Sequence, residues 1–163
     1  MPFTPFHFGP AACLSLPLRK RIDVPVFILA NVVVDLEPLT VMTFGLDYPL
    51  HGYVHTLMFG GLIGALFGAG AFSLRTQLIK LMGLFALPYR PSIGGMILSG
   101  VLGIWFHILL DSPLYADIRP LYPLTYNPVY GLVSGSTVYV FCAVSFVPAI
   151  MIYLLSRAGT SNK

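Results

Sequence analysis

The sequence predicts an all-α polytopic membrane helix bundle, with about four spanning helices and a short N-terminal half-helix. Three observations carry that prediction. The 163 residues are 56% hydrophobic and only 9% charged, with a mean hydropathy of +0.83. Soluble domains carry roughly 25% charged residues, so this chain has too few to dress a surface in water. Four apolar runs reach the ~20 residues that a helix needs to cross a bilayer. Finally, the cations gather at alternate ends of those runs.

Segment one, residues 4–18, is apolar but too short to cross, and reads as a half-helix tolerated by packing against protein. The basic run Arg19, Lys20 and Arg21 stops it. Segment two, residues 23–46, is long enough to span but contains Asp35, Glu37 and Pro38. The proline ring clashes with the carbonyl four residues back, that of Val34, so a kink or break is expected there. Segment three, residues 48–74, carries His51 and His55 at its mouth and Gly60, Gly64 and Gly68 at helical spacing. Segment four, residues 92–114, contains Ser99 with Gly103 and ends in His107 and Asp111. Segment five, residues 128–156, begins with Gly131 and Gly135 and is the most uniformly apolar. Small residues four apart let helix backbones approach closely in lipid.

Cations at 19–21, 75–90 and 157–163 mark the cytoplasmic ends by the positive-inside rule. The loops around 45–51 and 112–127 then face outward, with Asp47, Asp117 and the single cation Arg119. One integral-membrane domain over 1–163 is expected, in the inner (cell) membrane. A net charge of +3 from scattered cations argues against nucleic-acid binding. Cys13 and Cys142, far apart and outside any C-x-x-C pattern, read as small packing residues. The N-terminus lacks the positive stretch of a secretory signal and has Pro2 where myristoylation requires glycine.

On this map all four histidines and three of the six acids fall in the outer half of the bundle. His51 and His55 are expected on one helix face, as are His107 and Asp111, and Asn31 and Asp35. Asp35 and Glu37 would diverge by ~200° on a regular helix, but a break at Pro38 can turn both toward one point. A carboxylate in lipid costs several kcal/mol by most estimates unless paired or bound to a cation. No lysine or arginine lies in the core of these helices, which leaves a divalent ion as the neutralising charge. Imidazole nitrogens and carboxylate oxygens without thiolates suit zinc, manganese or ferrous iron.

The expected ligands are His51, His55, His107, Asp35 and Asp111, enough for one or two ions. Glu37 is the candidate general base or a bridging ligand, and His7 closes the shell or shuttles protons. Arg119 is the candidate holder of a substrate phosphate or carboxylate. Such a site near the outer interface suits hydrolysis of a lipid or lipid-linked ester or phosphoester, with bound metal activating water. Tyr115, Tyr122, Tyr126 and Tyr130 suit an interfacial belt. The alternatives are a metal-ion or proton transporter, haem ligation by paired histidines, and a structural metal site. Transport is disfavoured because the inner halves offer only Ser73, Gln77 and Ser99 as polar lining, unless a homo-oligomer interface supplies a path.

The stretches "FTPFH", "VVDLEP", "YPLHGYVHT" and "GIWFHILLDSPLYADIRPLYP" together resemble the YdjM-like membrane proteins of bacteria and archaea, over residues 1 to about 128. Those are described as inner-membrane, metal-dependent hydrolases. The resemblance implies a motif set of an N-terminal histidine at His7, paired acids at Asp35 and Glu37, a double histidine at His51 and His55, and His107 with Asp111. Many relatives carry an arginine directly after the first histidine of the pair and a wider spacing to the second. Here Gly52 follows, so no role of that arginine carries over.

Overall fold

A computed structural model describes residues 5–161, with side chains to residue 158; Thr4 and Lys163 lie outside the described residues. The described chain is helical, without strands: α1 (Pro5–Ser15), α2 (Val24–Val33), α3 (Leu36–Phe44), α4 (Leu57–Ala71), α5 (Arg75–Leu84), α6 (Ile93–Asp111), α7 (Gly135–Val144) and α8 (Phe146–Ser161). Four helical stretches are long and apolar enough to cross a membrane: Val24–Phe44, Leu57–Leu84, Ile93–Asp111 and Gly135–Ala158. The expected count and the short N-terminal helix are both found.

Three of the stretches are interrupted: Phe72–Leu74 form a 3-10 turn between α4 and α5, and proline explains the other two breaks. At Val34 and Asp35 the hydrogen bonds tighten to three-residue spacing, Asp35 N–H to the Val32 carbonyl at 3.2 Å and Glu37 N–H to that of Val34 at 3.4 Å. The break sits at the carbonyl that Pro38 excludes. Segment five breaks in the same way at Ser145, between α7 and α8. Pro148 lies four residues beyond Val144, and Ser145 Oγ turns back to the Phe141 carbonyl at 2.6 Å. Reading segment five as one clean span passes over that proline. Its first residues are also not helical, since α7 starts only at Gly135, with Ser134 as its cap.

Segment three needs a larger correction. Its helix begins at Leu57, capped by Thr56 Oγ on Phe59 N–H at 3.1 Å. Residues 46–52 are irregular and Tyr53–His55 form a single 3-10 turn. The helix stops short because the loop's amides find partners elsewhere: Gly52 and Val54 N–H donate to the Glu37 carboxylate at 3.0 and 3.1 Å. His51 and His55 therefore do not share a helix face.

In lipid the helices gain little from burying apolar area, and close packing holds them together. A Cβ on Gly64 of α4 would lie 2.5 Å from the Gly100 carbonyl oxygen of α6. A Cβ on Gly103, on another face of α6, would meet the Phe27 carbonyl oxygen of α2 at 2.5 Å. Gly60, Gly64 and Gly68 behave as expected, and Gly100 supplies the facing small residue. Gly131 and Gly135 do not form such a pair, because Gly131 occupies a turn at φ 75° and Gly135 opens α7.

The bundle has two chemically distinct ends. At one, Arg19 reaches Ser156 Oγ at 3.1 Å and Tyr89 OH donates to Asp23 Oδ2 at 2.8 Å. Asp23 also caps α2 through Val26 N–H, and its own N–H donates to Ser99 Oγ at 2.6 Å. Burial pushes the Asp23 carboxyl above its usual range, against the opposing pull of those hydrogen bonds. At the other end lie the histidines. α1 and α6 run between the two, carrying His7 and His107 to one level.

Candidate metal centre

Four pieces of chain deliver the buried polar cluster. α1 contributes His7, the break before α3 contributes Asp35, the 3-10 turn contributes His55, and the last turn of α6 contributes His107 and Asp111. His7, His55 and His107 are fully buried, with Asp111 at 2% and Asp35 at 8% exposure. Such burial in a bilayer-spanning bundle demands a counter-charge for the carboxylates.

The distances show how these groups face one another. His107 Nε2 lies 3.3 Å from Asp35 Oδ1 and 3.4 Å from Asp111 Oδ2, and His7 Nε2 lies 3.2 Å from Asp111 Oδ1. Although close, His7 Nε2, His107 Nε2 and Asp111 Oδ1 are buried without a hydrogen-bond partner of acceptable geometry, as is His55 Nε2. Two atoms each ~2.1 Å from a tetrahedral ion lie about 3.4 Å apart, which is the spacing seen. Two sets of ligand atoms lie mutually within 4.8 Å, His7 with His107 and Asp111, and Asp35 with His55 and His107. These buried histidine and aspartate groups could hold a metal ion, and His107 belongs to both sets.

Proton accounting limits how both sets work. His7 Nδ1 and His107 Nδ1 are 3.0 Å apart and share one hydrogen bond, hence one proton. With both rings neutral, the second proton sits on the Nε2 of the ring whose Nδ1 accepts. Only one of the two Nε2 atoms then offers a lone pair to a cation.

His55 is unambiguous. Its Nδ1 is 2.8 Å from Glu37 Oε2, so Nδ1 carries the proton and Nε2 the lone pair. Burial holds this imidazole below its usual range, with Glu37 pulling the other way, which keeps the ring neutral at pH 7. A carboxylate orienting the far nitrogen of a metal-binding histidine is a common outer-shell arrangement.

That geometry redefines Glu37. A carboxylate offers about four lone-pair positions, and here four donors fill them: Gly52 N–H, Val54 N–H, His55 Nδ1 and, at 3.4 Å, Tyr48 OH. Glu37 stands behind His55, outside both ligand sets, with no lone pair left to bridge ions or deprotonate water. The break at Pro38 does turn both acids inward, but toward different imidazoles, Asp35 to His107 and Glu37 to His55.

His51 also lies outside both ligand sets. Its ring packs 4.7 Å from that of His55 and 4.4 Å from that of Tyr115. Its Nδ1 bonds the Asp117 carboxylate at 3.0 Å, and its backbone N–H reaches the same group at 3.1 Å. Asp117, which the sequence marks only as an outer-loop acid, is thus a partner that spacing could not reveal across 66 residues. Arg119 is exposed and lines a cavity of about 110 Å³ with His51, Asp117, Tyr48, Tyr53 and Tyr122. Of the expected tyrosine belt, Tyr122 packs on Tyr53 at 5.3 Å, while Tyr126 and Tyr130 are exposed.

No protein-family model, curated protein or solved structure matches the chain.

Proposed function

We propose that the protein is a membrane-embedded, metal-dependent hydrolase that acts on a lipid or lipid-linked ester or phosphoester at the extracytoplasmic interface of the cell membrane. The observation that carries this reading is the pair of buried, unpartnered nitrogens, His55 Nε2 and His107 Nε2, beside the carboxylates of Asp35 and Asp111. Proton accounting then favours one ion over two. If His107 Nδ1 donates to His7, then His107 Nε2 joins His55 Nε2 and Asp35 as ligands. Asp111 Oδ2, 3.4 Å from His107 Nε2, falls outside that set and belongs with His7. His7 then keeps its proton on Nε2, 3.2 Å from Asp111 Oδ1, and its Nδ1 accepts from His107 and so fixes that ring. The reverse tautomer leaves each set with a single nitrogen ligand. Two imidazoles with a carboxylate suit zinc, with manganese or iron as alternatives. Bound there, the metal would polarise a substrate oxygen and acidify water.

The residues around it fit hydrolysis. His51 sits one ring from His55 at the edge of the 110 Å³ cavity, and Asp117 holds its Nδ1. That leaves Nε2 to take and return a proton, the role an oriented imidazole plays in acid–base catalysis. Arg119 supplies the cation that an ester phosphate requires. Transport fits less well. Between the cluster and the cation-rich end lie Phe27, Ala30, Met96 and Ile104, all sealed. Asn31 there gives its Nδ2 to the Phe27 carbonyl of its own helix at 2.8 Å.

The test is the zinc content of purified protein together with hydrolysis of a lipid-phosphate panel. His55→Ala should lose the ion, and His51→Gln should keep the ion and lose the hydrolysis. The near-complete burial of the ligands favours a second reading, a structural ion, since structural sites are closed. In that case metal removal lowers the melting temperature and no substrate in the panel turns over.

A further inference from the structure

The cation-rich end holds a feature that the metal centre does not use. An apolar cavity of about 440 Å³ lies between α1, α2, α5 and α8, walled by residues such as Leu16, Pro25, Met82, Leu87, Phe146 and Tyr153. No charged side chain lines it, and its one hydroxyl, on Tyr153, is already given to the Phe85 carbonyl at 3.0 Å. Its volume falls in the range of about 300–1,000 Å³ typical of organic-ligand pockets. Along α8 it extends from Phe146 to Tyr153, a rise of ~10 Å.

A small polar cleft opens beside it, lined by Arg19, Lys20, Arg21, Asp23, Tyr89, Arg90, Ser92 and Gly95. Their linings adjoin without a common residue: Leu16 leads to Arg19, Leu87 leads to Tyr89 and Arg90, and Tyr89 packs against the cluster of Leu16, Val24, Met82 and Leu87. The cleft sets four cations against one acid. That acid is occupied by Tyr89 OH and Val26 N–H. None of the four cations forms an ion pair among the described residues, while Arg19 is tied to Ser156.

We infer that the cleft and the cavity form one binding site for an acidic phospholipid of the cation-side leaflet, its phosphate held by Arg21, Arg90 and Lys20 and one acyl chain seated in the apolar cavity. The charge complementarity selects the headgroup, because a zwitterionic lipid brings its own cation into a cleft already in excess. The apolar continuation selects a lipid over free phosphate. Basic pockets between membrane helices recognise anionic headgroups by this chemistry. The site is independent of the metal centre, which lies at the opposite end.

The experiment uses the full chain in detergent and follows lipid binding by melting temperature and by native mass spectrometry. The probes are phosphatidylglycerol, phosphatidylcholine with the same acyl chains, and inorganic phosphate. Phosphatidylglycerol should raise the melting temperature and remain bound at one copy per chain, phosphatidylcholine should bind at least fivefold more weakly, and phosphate alone should do nothing. Each cation removed should weaken phosphatidylglycerol about fivefold, so the exposed pair Arg21→Gln with Arg90→Gln should cost about 25-fold. Arg75→Gln with Lys80→Gln should cost no more than twofold. Ile150→Trp, which fills the cavity from its open side, should weaken both lipids. Equal binding of the two lipids would overturn the inference, as would full activity of phosphate alone, equal losses in the two cation pairs, or indifference to Ile150→Trp.

Discussion

Replacing Glu37 by glutamine tests the least obvious feature of the centre, a carboxylate that acts through a histidine. The carboxylate now receives Gly52 N–H at 3.0 Å, Val54 N–H at 3.1 Å and His55 Nδ1 at 2.8 Å. Glutamine keeps the shape but has one oxygen and one NH₂ group. Its best placement puts the oxygen toward Gly52 and His55, which leaves NH₂ facing Val54 N–H, donor against donor. One bond to a charged acceptor is lost, worth ~1.5–3 kcal/mol, and His55 loses the negative charge that makes Nε2 a stronger donor. Removing an outer-shell partner of this kind typically costs about 10–100-fold in metal affinity, or ~1.4–2.7 kcal/mol. Chelator competition with Zn²⁺ or Co²⁺ on folded protein measures it directly. An affinity within twofold of the parent, at an unchanged melting temperature, would refute the orienting role. If hydrolysis disappeared as well while the ion stayed tightly bound, Glu37 would be a general base after all.

Other outcomes follow from the same geometry. Gly64→Leu should lower the thermal stability in detergent by ~1–3 kcal/mol as α4 is forced from α6, whereas Gly70→Ala, with nothing within 4 Å of the added carbon, should be neutral or gain up to ~1 kcal/mol. Asp23 has a folded pKa raised above the usual 3.8 by burial, so its contribution to stability is complete below pH 3.8 and is lost as pH rises through the raised value. Melting temperature against pH should show that decline in the parent and lack it in Asp23→Asn, which keeps the cap, while Asp23→Ala should cost a further ~1 kcal/mol. Ala86 adopts φ 53° at the end of α5, and Ala86→Gly should stabilise by ~1 kcal/mol in thermal unfolding.

Much of the architecture is legible along the chain because lipid imposes a coarse and local rule. A backbone that crosses hydrocarbon must bond within its own helix, so runs of apolar residues reveal spans without any knowledge of neighbours. Pro38 announces the break at Val34 through a steric clash confined to five residues; Pro148 breaks segment five at Ser145 by the same clash, although the uniformly apolar run around it draws attention away. The glycine stripe of α4 is equally visible, although its partner, Gly100, is found only by docking α6 against it. The histidines and acids stand out because ionisable groups are so scarce in this chain.

The sequence by itself determined that four helices are long and apolar enough to span, that Pro38 breaks one of them, and that the four histidines with Asp35, Glu37 and Asp111 form one polar set. Only the tertiary structure decided which atoms meet: that His51 bonds Asp117, that Glu37 serves His55, and that His107 is shared between two groups. Composition and periodicity report the cost of placing a side chain in lipid, and each residue carries that cost alone. Hydrogen-bond partnership and ligand convergence depend on directions and distances between segments many residues apart, and those exist only once the helices are packed.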